Sequence, residues 1–361
     1  MKPKGVAIIA EWMTSRGGAE KVVLALLEIF PKADIFTSVL NRNLFPELKD
    51  KKIRTSFLQT FPILNRKHQY LLPLLPTAMR SLNLKGYDLI ISSSSAFGKG
   101  IKKPKGSTHI CYCHTPIRYV WQPDIDKRLI NLPLGNQIIK LLKKWDLDSN
   151  ANVDYFISNS NYTRRRIEKY YRREATVIYP PVETRLAKSD KSKAARENFY
   201  FAISRLIPYK KLDLAVRAAN ELQKELIVAG VGSEFNKLTK LAGPTVKVLG
   251  RIPDSQKLNY YRKARAIIFP AEEDFGIVPI EAMAAGCPVI AFSKGGARET
   301  VMDGKTGVLF DEQSIDSLKA AILKFEKMHF DESVMLKHAE SFSKERFLRE
   351  INDFIKEIKV K

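Results

Sequence analysis

Short apolar runs alternate with helix-length amphipathic segments along almost the whole chain, and this alternation restricts the fold more than any other feature. In the first half the apolar runs include VAIIA, YDLIISSSS, STHICYC and VDYFISNS, and the longer segments include AEKVVLALLEIF and YTRRRIEKYY. Such alternation is typical of a parallel sheet covered by helices. The first half is therefore predicted to be an α/β domain.

The same pattern restarts after a charged break, ETRLAKSDKSKAAREN, between Glu183 and Asn198. The second half contains the apolar runs FYFAISR, ELIVAGVG, VKVLGRI, AIIFP, PVIAF and GVLF, again separated by amphipathic segments. A chain of 361 residues also exceeds the length at which one hydrophobic core usually stops growing. We predict two Rossmann-like domains, residues 1–185 and 196–341, with the charged break as their linker.

The last segment, FSKERFLREINDFIKEIKV, has apolar residues at helical spacing. These positions are Phe347, Leu348, Ile351, Phe354, Ile355 and Ile358. We expect a helix over residues 342–361 that packs back on the first domain. Because ligands of open α/β sheets bind at the carboxyl ends of the strands, functional residues are expected in strand-to-helix loops beside a cleft between the two domains.

Lysine and arginine outnumber aspartate and glutamate by 61 to 39, which gives a formal net charge of +22. Such an excess is compatible with a nucleic acid, an anionic membrane surface or a phosphate-rich substrate, and also with a solvated basic surface. Basic clusters lie within residues 99–105 and 164–173. Since no aromatic stacking platform or nucleic-acid-binding motif accompanies them, we expect no nucleic-acid partner.

The sequence predicts neither a signal peptide nor a membrane-spanning helix. The apolar run VAIIA is too short for a signal peptide, and the stretch from Tyr70 to Met79 is too short to cross a bilayer and is broken by two prolines. Three cysteines cannot form a disulfide framework, which suits a reducing compartment. We expect a cytoplasmic protein that is peripheral on the cytoplasmic face of a membrane.

The most informative stretch is AIIFPAEEDFGIVPIEAMAAGCPVIAF, from Ala266 to Phe292. A strand ending at Pro270 is followed by an acidic loop and by a helix in which Pro279 suits the first position. Glu273 in the loop and Glu281 near the first helical turn can face one pocket. Carboxylates accept paired hydrogen bonds from vicinal hydroxyls of a sugar or ribose. The alternative is that both are ordinary acids near a helix N-terminus.

Two further features of the second half are suited to binding an anion. The backbone amides of Phe275, Gly276 and Ile277 lie where a helix N-terminus stabilises negative charge. In FAISRLIPYKKLDLAVRA, Arg205 follows a strand and Lys210 precedes a helix. These two cations could neutralise a diphosphate without a metal, although basic residues of a solvated surface are the simpler alternative.

Three features of the first half are candidates for a site. Gly17 and Gly18, between the first strand and first helix, allow close approach of a phosphate or acceptor. His114 follows the strand ICYC, whose two cysteines are expected to lie on one face, but no complementary pair suggests a metal site. The pair Asp146 and Asp148 resembles a metal-binding Asp-x-Asp; in a helix its side chains point to different faces, so a solvated or capping role is expected.

The stretch from Ala266 to Phe292 resembles the nucleotide-sugar signature of the family 4 retaining glycosyltransferases, which have the two-domain GT-B fold. The resemblance covers nearly the whole chain. It implies that Glu273 contacts the transferred hexose, that Glu281 contacts the ribose, and that Arg205 and Lys210 contact the donor phosphates. A glycine commonly follows the lysine in that family, whereas Lys211 stands here.

The resemblance extends to the loops of both halves. Gly17 and Gly18 begin a Gly-Gly-Ala-Glu that faces the donor diphosphate in the family, and His114 matches the active-site histidine near the sugar C6 hydroxyl. VLGRIPD resembles a nucleotide-proximal loop, in which backbone groups near Arg251 would read the base. The pair Gly295 and Gly296 indicates a turn and helix cap first and a pocket wall second. No metal or other cofactor is implied.

The segment CHTPIRYVW around His114, the WD at Trp145 and the SRL and PYK near Lys210 resemble bacterial mannosyltransferases of surface polysaccharide synthesis. This implies GDP-mannose as donor and a polyprenyl-diphosphate-linked or glycan acceptor. Basic residues beside the apolar stretch from Leu71 to Leu84 are expected to meet an anionic leaflet. The alternatives are a UDP-sugar donor, a GT-B sugar-nucleotide epimerase, or a basic nucleic-acid-binding or scaffold protein.

Overall fold

A computed structural model of the chain describes residues 3–61, 73–185 and 196–358. These residues form two compact units: Met1–Pro181 with Glu345–Lys361, and Val182–Lys344. The first unit thus ends four residues before the boundary expected at residue 185. The described residues leave out part of three segments, namely Tyr70–Met79, Leu71–Leu84 and the expected linker.

The described residues of the first unit form a seven-stranded parallel sheet. Its strands are β1 (Val6–Ala10), β2 (Asp34–Thr37), β3 (Ile53–Thr55), β4 (Leu89–Ser94), β5 (Thr108–Cys113), β6 (Tyr155–Ser158) and β7 (Thr176–Val177). They pair in the order β3-β2-β1-β4-β5-β6-β7. The strand order therefore reverses between β1 and β4.

Helices cover both faces of this sheet, as the buried character of its strands requires. They are α1 (Gly18–Ile29), α2 (Leu75–Arg80), α3 (Arg118–Trp121), α4 (Gly135–Asp148) and α5 (Asn161–Tyr171). Along β1, Ile8 packs into one apolar cluster and Ala7 and Ile9 into another. Successive side chains of a strand point to opposite faces, so β1 is buried on both sides.

The second unit repeats this architecture with a six-stranded parallel sheet among its described residues. Its strands are β8 (Phe199–Ile203), β9 (Glu225–Ala229), β10 (Val246–Leu249), β11 (Ile267–Phe269), β12 (Val289–Phe292) and β13 (Gly307–Phe310). The order is β10-β9-β8-β11-β12-β13, with a reversal between β8 and β11. Two α/β units of Rossmann-like topology confirm the predicted fold class.

The helices of the second unit follow its strands in alternation. They are α6 (Leu212–Leu222), α7 (Phe235–Leu241), α8 (Asp254–Lys263), α9 (Ile277–Ala284), α10 (Ala297–Thr300), α11 (Ile315–Glu326) and α12 (Glu332–Glu340). Short 3₁₀ turns lie at Arg42–Leu44, Pro46–Leu48, Phe57–Thr60, Gly98–Gly100, Ser149–Asn152 and Pro208–Lys210.

The C-terminal helix α13 (Lys344–Glu357) packs on the first unit, as its apolar spacing predicted. Phe347, Ile351 and Phe354 are buried in the core of that unit, and the Phe347 ring lies 5.8 Å from the ring of Tyr112 on β5. The helix begins at residue 344 instead of 342.

Lys99 is part of a predicted basic surface cluster, but its side chain is buried. The residue is 1% exposed, and its ammonium lies 2.7 Å from Oδ1 of Asp146, which is 0% exposed. Nζ also donates to the carbonyl of Asp146 and to the hydroxyl of Ser149. The expectation of a surface charge is wrong here because a tertiary partner compensates the loss of hydration.

Asp146 is likewise not the solvated or capping residue that the sequence suggested. Its Oδ2 accepts hydrogen bonds from Trp121 Nε1 at 2.6 Å and from the Tyr171 hydroxyl at 2.8 Å. Asp148, two residues later on α4, is exposed, so the two acids do point to different faces as expected. Lys99, Asp146, Trp121 and Tyr171 together form a buried polar knot, which joins four segments distant in the sequence.

The second basic cluster is also partly structural. Arg166 is buried and donates to the Thr115 hydroxyl at 2.8 Å and the Pro116 carbonyl at 3.1 Å. Arg173 donates to backbone carbonyls of the segment before β6, including that of Val153 at 3.0 Å. Some of the basic residues counted in the sequence therefore hold loops together by hydrogen bonds.

Within the described ranges, no helix combines the length and the apolar character needed to cross a bilayer.

The buried polar knot gives a testable stability difference. We expect Lys99→Met to lower the free energy of unfolding by about 3–5 kcal/mol, because it leaves the Asp146 carboxylate buried without a counter-ion. The double variant Lys99→Met/Asp146→Leu should lose less, since no uncompensated charge remains. Urea denaturation followed by circular dichroism measures both.

Lys103→Met is the matched control for that experiment. The Lys103 ammonium pairs with Asp154 at 2.7 Å, but the two side chains are 22% and 36% exposed. Solvent screens such a pair, so its loss should cost about 1 kcal/mol or less. Equal losses for Lys99→Met and Lys103→Met would contradict the structural importance of the knot.

Candidate active site

In each sheet every strand is parallel to its neighbours, so the carboxyl ends of the strands lie along one edge. Where the strand order reverses, the loops after two adjacent strands run in opposite directions and leave a crevice between them. In the second unit Arg205 and Lys210 follow β8, and Glu273 follows β11. These three predicted site residues therefore stand at the crevice of the second sheet.

Lys210 and Glu273 are in direct contact. The Lys210 ammonium forms an ion pair with the Glu273 carboxylate, and the two side chains are 12% and 16% exposed. Partial removal from water strengthens the attraction relative to that of a surface pair. The residue predicted to bind the donor phosphates and the residue predicted to bind the hexose are thus adjacent.

A glycine pair after β12 fixes the backbone of the Glu273 loop. Gly296 N donates to the Glu273 carbonyl at 2.8 Å, and Gly295 and Glu273 form a β-bridge. A Cβ on Gly295 would lie 2.2 Å from the Glu273 carbonyl oxygen, and one on Gly296 would lie 2.4 Å from Phe275 Cα. Because no side chain fits, the two loops can touch backbone to backbone.

A second glycine pair, after β9, supports the loop that carries Arg205. A Cβ on Gly230 would lie 1.9 Å from the Ser204 carbonyl oxygen, and one on Gly232 would lie 2.2 Å from that of Leu206. Both contacts would force the two loops apart. Arg205 therefore lies on a loop that is contacted by the glycines of the neighbouring loop, with no side chain between the two backbones.

Lys211, where the family commonly has glycine, keeps the backbone conformation that a glycine would adopt. Lys211 has φ 54° and ψ 32°, in the left-handed region that favours glycine. A residue with a Cβ pays about 1–2 kcal/mol for this conformation. The backbone shape of the turn is therefore retained with a lysine in place of the usual glycine. Within the same turn Arg205 Nη2 donates to the Tyr209 hydroxyl at 3.1 Å.

Glu281 is buried on α9 and faces helix α8. Its Oε2 accepts hydrogen bonds from Lys257 Nζ at 3.1 Å and from the Tyr261 hydroxyl at 3.2 Å. Burial raises the pKa of Tyr261 well above its usual range, and the Glu281 carboxylate raises it further. The phenol therefore stays a donor at neutral pH, and Glu281 is fixed by two groups that the sequence did not indicate.

The helix after the acidic loop begins earlier than predicted. Pro279 is the third residue of α9 and not the first, because the helix starts at Ile277. Gly276 has φ 88° and lies at the N-cap position, and Phe275 is buried with its ring 5.9 Å from that of Phe342. The three predicted amides are therefore at the helix N-terminus.

Arg251 follows β10 on the same edge of the sheet and is exposed. The preceding carbonyl, that of Gly250, accepts a hydrogen bond from Gly230 N at 3.1 Å. The three loops after β8, β9 and β10 are thus joined to one another.

In the first unit the two glycines lie at the start of α1, with Gly17 at the N-cap position. Gly17 N donates to the Glu20 carboxylate at 2.9 Å. The Gly17 amide is thus engaged by an acid of its own helix, as in a capping box.

His114 follows β5 and is held from two sides. Its Nε2 lies 2.8 Å from the hydroxyl of Ser93 at the end of β4, and its carbonyl accepts a hydrogen bond from Asn159 Nδ2 at 3.0 Å. The Ser93 hydroxyl also lies 3.3 Å from the carbonyl of Ala19 on α1. His114 and the first turn of α1 are therefore connected through one serine.

Cys111 and Cys113 point into the same apolar cluster on one face of β5. Burial raises the pKa of the Cys113 thiol well above its usual range, and neighbouring Cys111 raises it further. In the part of the chain that the structure describes, no group of three or more His, Cys, Asp or Glu side chains is arranged to hold a metal ion.

Two family models match the chain, one after the other. The model described as Glycosyltransferase Family 4 matches residues 16–186, and the model described as Glycosyl transferases group 1 matches residues 184–345. The chain belongs to the family 4 glycosyltransferases. The two matched regions correspond closely to the two α/β units of this glycosyltransferase.

A similar protein with a described activity is the GDP-mannose-dependent α-(1-6)-phosphatidylinositol monomannoside mannosyltransferase of Mycolicibacterium smegmatis. It is 30% identical to this glycosyltransferase over 205 residues, which are 49% of this chain and 53% of that protein. The chain spans about half the length of the curated relatives it matches first.

Two solved structures resemble the whole chain. Sucrose-phosphate synthase from Thermosynechococcus elongatus has a TM-score of 0.75 and 18% identity, with 98% of each chain covered. HepE from Anabaena, in complex with UDP, has a TM-score of 0.72 and 18% identity, covering 98% of this chain and 100% of that one. At this identity the likeness shows the fold alone, which is GT-B.

Glu11 of this glycosyltransferase was missed by the sequence interpretation. Its buried carboxylate accepts hydrogen bonds from the backbone amides of Ser95, Ala96 and Gly98 and from the Ser94 hydroxyl, at 2.5–3.0 Å. Burial raises its pKa, although these hydrogen bonds act in the opposite direction. The one available signal was position, because Glu11 directly follows β1, where the strand order reverses.

Glu11 also lines a pocket at that reversal point. Glu20 of α1 and Ser93 of β4 contribute to the same pocket, with apolar walls from Ala10 and Val23. Since Ser93 also contacts His114, the predicted active-site histidine lies beside one wall of this pocket.

The Gly295 contact predicts a site-specific loss of stability. We expect Gly295→Ala to lower the free energy of unfolding by about 2 kcal/mol or more, because the methyl group collides with the Glu273 carbonyl and the left-handed φ of 71° is unfavourable for alanine. Thermal and urea denaturation measure the change.

Gly304→Ala separates these two causes. Gly304 has φ 75°, but the nearest atom to an added Cβ is 3.9 Å away. The free energy of unfolding of this control variant should fall by only about 1 kcal/mol, from backbone conformation alone. If the two variants lose the same stability, the contact does not hold the Glu273 loop.

Proposed function

We propose that this protein is a retaining hexosyltransferase that moves a sugar from a nucleotide-diphosphate donor to an acceptor hydroxyl. The observation that carries the proposal is the Lys210–Glu273 ion pair at the crevice of the second sheet. In a family 4 glycosyltransferase, these positions correspond to a phosphate ligand and a hexose ligand. The pair therefore occupies the place where the bond between sugar and phosphate would break.

The leaving group requires cations. When the bond between the anomeric carbon and the phosphate oxygen breaks, negative charge develops on the departing diphosphate. Lys210 supplies a point charge and Arg205 a planar fork of donors, and the amides at the start of α9 add dipoles of the right sign. This set needs no metal ion, in agreement with the family resemblance.

The remaining groups would position the sugar. Glu273 would accept hydrogen bonds from hexose hydroxyls, Glu281 from the ribose, and His114 would lie near the C6 hydroxyl. The acceptor oxygen forms a bond to the anomeric carbon on the face from which the phosphate departs. Because attack and departure share one face, the reaction needs no protein nucleophile. The acceptor proton passes to the departing phosphate oxygen, so it needs no protein base either.

The Lys210–Glu273 contact also has a consequence for donor binding. Lys210 already has a carboxylate partner, so a diphosphate must compete with Glu273 for the ammonium. A diphosphate carries more negative charge than one carboxylate, which favours the exchange. Glu273 would then be released toward the hexose.

GDP-mannose is the donor we favour. The named activity of the mycobacterial relative supports this choice, and so does the resemblance of the His114 segment to bacterial mannosyltransferases. The solved structure with UDP contributes only the fold, so a UDP-sugar remains the alternative donor. We further propose a polyprenyl-diphosphate-linked or glycan acceptor in surface polysaccharide synthesis, and a peripheral position on the cytoplasmic face of an anionic membrane.

Calorimetric titration tests the donor class. We expect GDP-mannose to bind the full-length protein more tightly than UDP-glucose or ADP-glucose, with the same affinity in the presence of EDTA. Lys210→Met should weaken binding of GDP-mannose by at least about tenfold, because a charged hydrogen bond to the diphosphate is lost.

Lys211→Met is the matched control, since it removes the same charge one residue later and keeps a Cβ at the left-handed position. Its affinity should stay within about threefold of the parent, as for a surface charge in salt. Equal losses for the two variants would contradict the role of Lys210. Binding of none of the three donors would overturn the proposed function.

A second prediction follows from the competition between Glu273 and the diphosphate. In Glu273→Gln the ammonium of Lys210 has no carboxylate to release, so GDP should bind as tightly as to the parent or more tightly. Mannosyl transfer should fall by about a hundredfold or more, because the carboxylate acts on the sugar.

Calorimetry with GDP and a radiolabelled transfer assay separate these two effects. Glu272→Gln removes the same charge one residue earlier and serves as control. A loss of GDP affinity in Glu273→Gln as large as in Lys210→Met would show that Glu273 supports phosphate binding instead of competing with it.

A further inference from the structure

Helix α4 and the turn before it expose several leucines. Leu134 and Leu141 are each 70% exposed, and Leu132 is 49% exposed. A single exposed leucine is ordinary on a protein surface. Three exposed leucines within ten consecutive residues form an apolar patch, and such patches mark contact surfaces more often than chance predicts.

The spacing of the patch follows one side of α4. Leu134, Ile138, Leu141 and Trp145 recur at intervals of four, three and four residues, which places them on one stripe of the helix. Ile138 and Trp145 are partly buried, and the Trp145 ring lies 5.2 Å from that of Phe97. The stripe therefore begins in solvent at its N-terminal end and is anchored in the core at its other end.

The turn before α4 holds Leu134 in an unfavourable conformation. Leu134 has φ 58°, a region that a leucine rarely adopts. Gly135 N donates to the Leu132 carbonyl at 2.9 Å, and a Cβ on Gly135 would lie 2.1 Å from the Leu129 carbonyl oxygen. The tight turn thus presents a leucine to water in a strained backbone, a combination that points to a function for this segment.

The charge around the patch selects the partner. Residues 127–145 contain five basic residues and no acidic one. They are Lys127, Arg128, Lys140, Lys143 and Lys144, of which Arg128 is paired with Asp126. Lys140 and Lys144 are exposed on α4, beside the leucine stripe. Apolar side chains flanked by lysines on one helix are characteristic of helices that lie in the interface of an anionic bilayer.

We infer that the α4 face, composed of Leu132, Leu134, Leu141, Lys140 and Lys144, docks on an anionic lipid surface. The leucines enter the boundary between headgroups and acyl chains, and the lysines bind lipid phosphates. The inference rests on the proposed function in one respect, because a lipid-linked acceptor requires the enzyme at a membrane. It places that contact on α4.

Vesicle binding tests the inference directly. The full-length protein is incubated at low salt with vesicles of phosphatidylcholine alone, or of phosphatidylcholine with phosphatidylglycerol, and is then sedimented. We expect binding to the anionic vesicles to be at least about tenfold tighter. Leu134→Ser/Leu141→Ser and Lys140→Gln/Lys144→Gln should each weaken it by about tenfold or more.

Matched variants elsewhere on the surface control for overall charge and hydrophobicity. Lys240→Gln/Lys247→Gln removes two exposed lysines of the second unit, and Leu323→Ser removes an exposed leucine of α11. Both should bind anionic vesicles like the parent. Equal weakening by the control lysines would mean that net charge alone drives binding, and would overturn the inference.

A fluorescent label reports insertion independently of affinity. Cys111, Cys113 and Cys287 are buried, so an environment-sensitive dye can be attached selectively to Leu141→Cys. Its emission should shift to the blue with anionic vesicles, whereas a dye on Leu323→Cys should not shift. No shift at residue 141 would overturn insertion at the α4 face.

Two further measurements separate this inference from competing explanations. If Leu134→Ser/Leu141→Ser converts a dimer into a monomer in analytical ultracentrifugation, the face is a contact between copies and the inference is wrong. GDP-mannose binding without vesicles should be the same for the parent and the α4 variants. A protein that binds vesicles through α4 but no nucleotide sugar would retain this inference and lose the proposed function.

Discussion

Parallel strand pairing determines where each candidate site residue of this chain lies. Strands that run in one direction require a crossover after each strand, so all carboxyl ends collect on one edge, where the helices begin. Arg205 and Lys210 come from the loop after β8 and Glu273 from the loop after β11, yet they share one edge for this reason. The reversal of strand order between β8 and β11 then opens the space in which Lys210 and Glu273 meet.

Backbone contacts between loops set the finer geometry. Gly230 and Gly232 allow one loop to touch the loop of Arg205, and Gly295 and Gly296 do the same for the loop of Glu273. A carboxylate and an ammonium on flexible loops would lose most of their attraction to conformational entropy and water. Here the loops are fixed first, and the ion pair forms between side chains whose backbones are already in place.

The sequence predicted the fold well, because strand and helix periodicities are local signals. It also located Arg205, Lys210, Glu273 and Glu281 in the correct loops or helix, since strand ends are visible in the pattern. It failed where the outcome depends on tertiary partners. The ion pair of Lys99 with Asp146 joins residues distant in sequence, and a lysine in a basic cluster gives no local sign that it is buried. The start of α9 was shifted because a proline is tolerated throughout the first helical turn.

Glu11 has a consequence for the electrostatics of the first unit. Successive amides that converge on one point make a nest for an anion, a device that other proteins use to hold phosphate. In this chain the amides of Ser95, Ala96 and Gly98 converge on the Glu11 carboxylate, which is covalently part of the protein. The nest is therefore filled from within, and its loop keeps one shape whether or not a soluble anion is at hand.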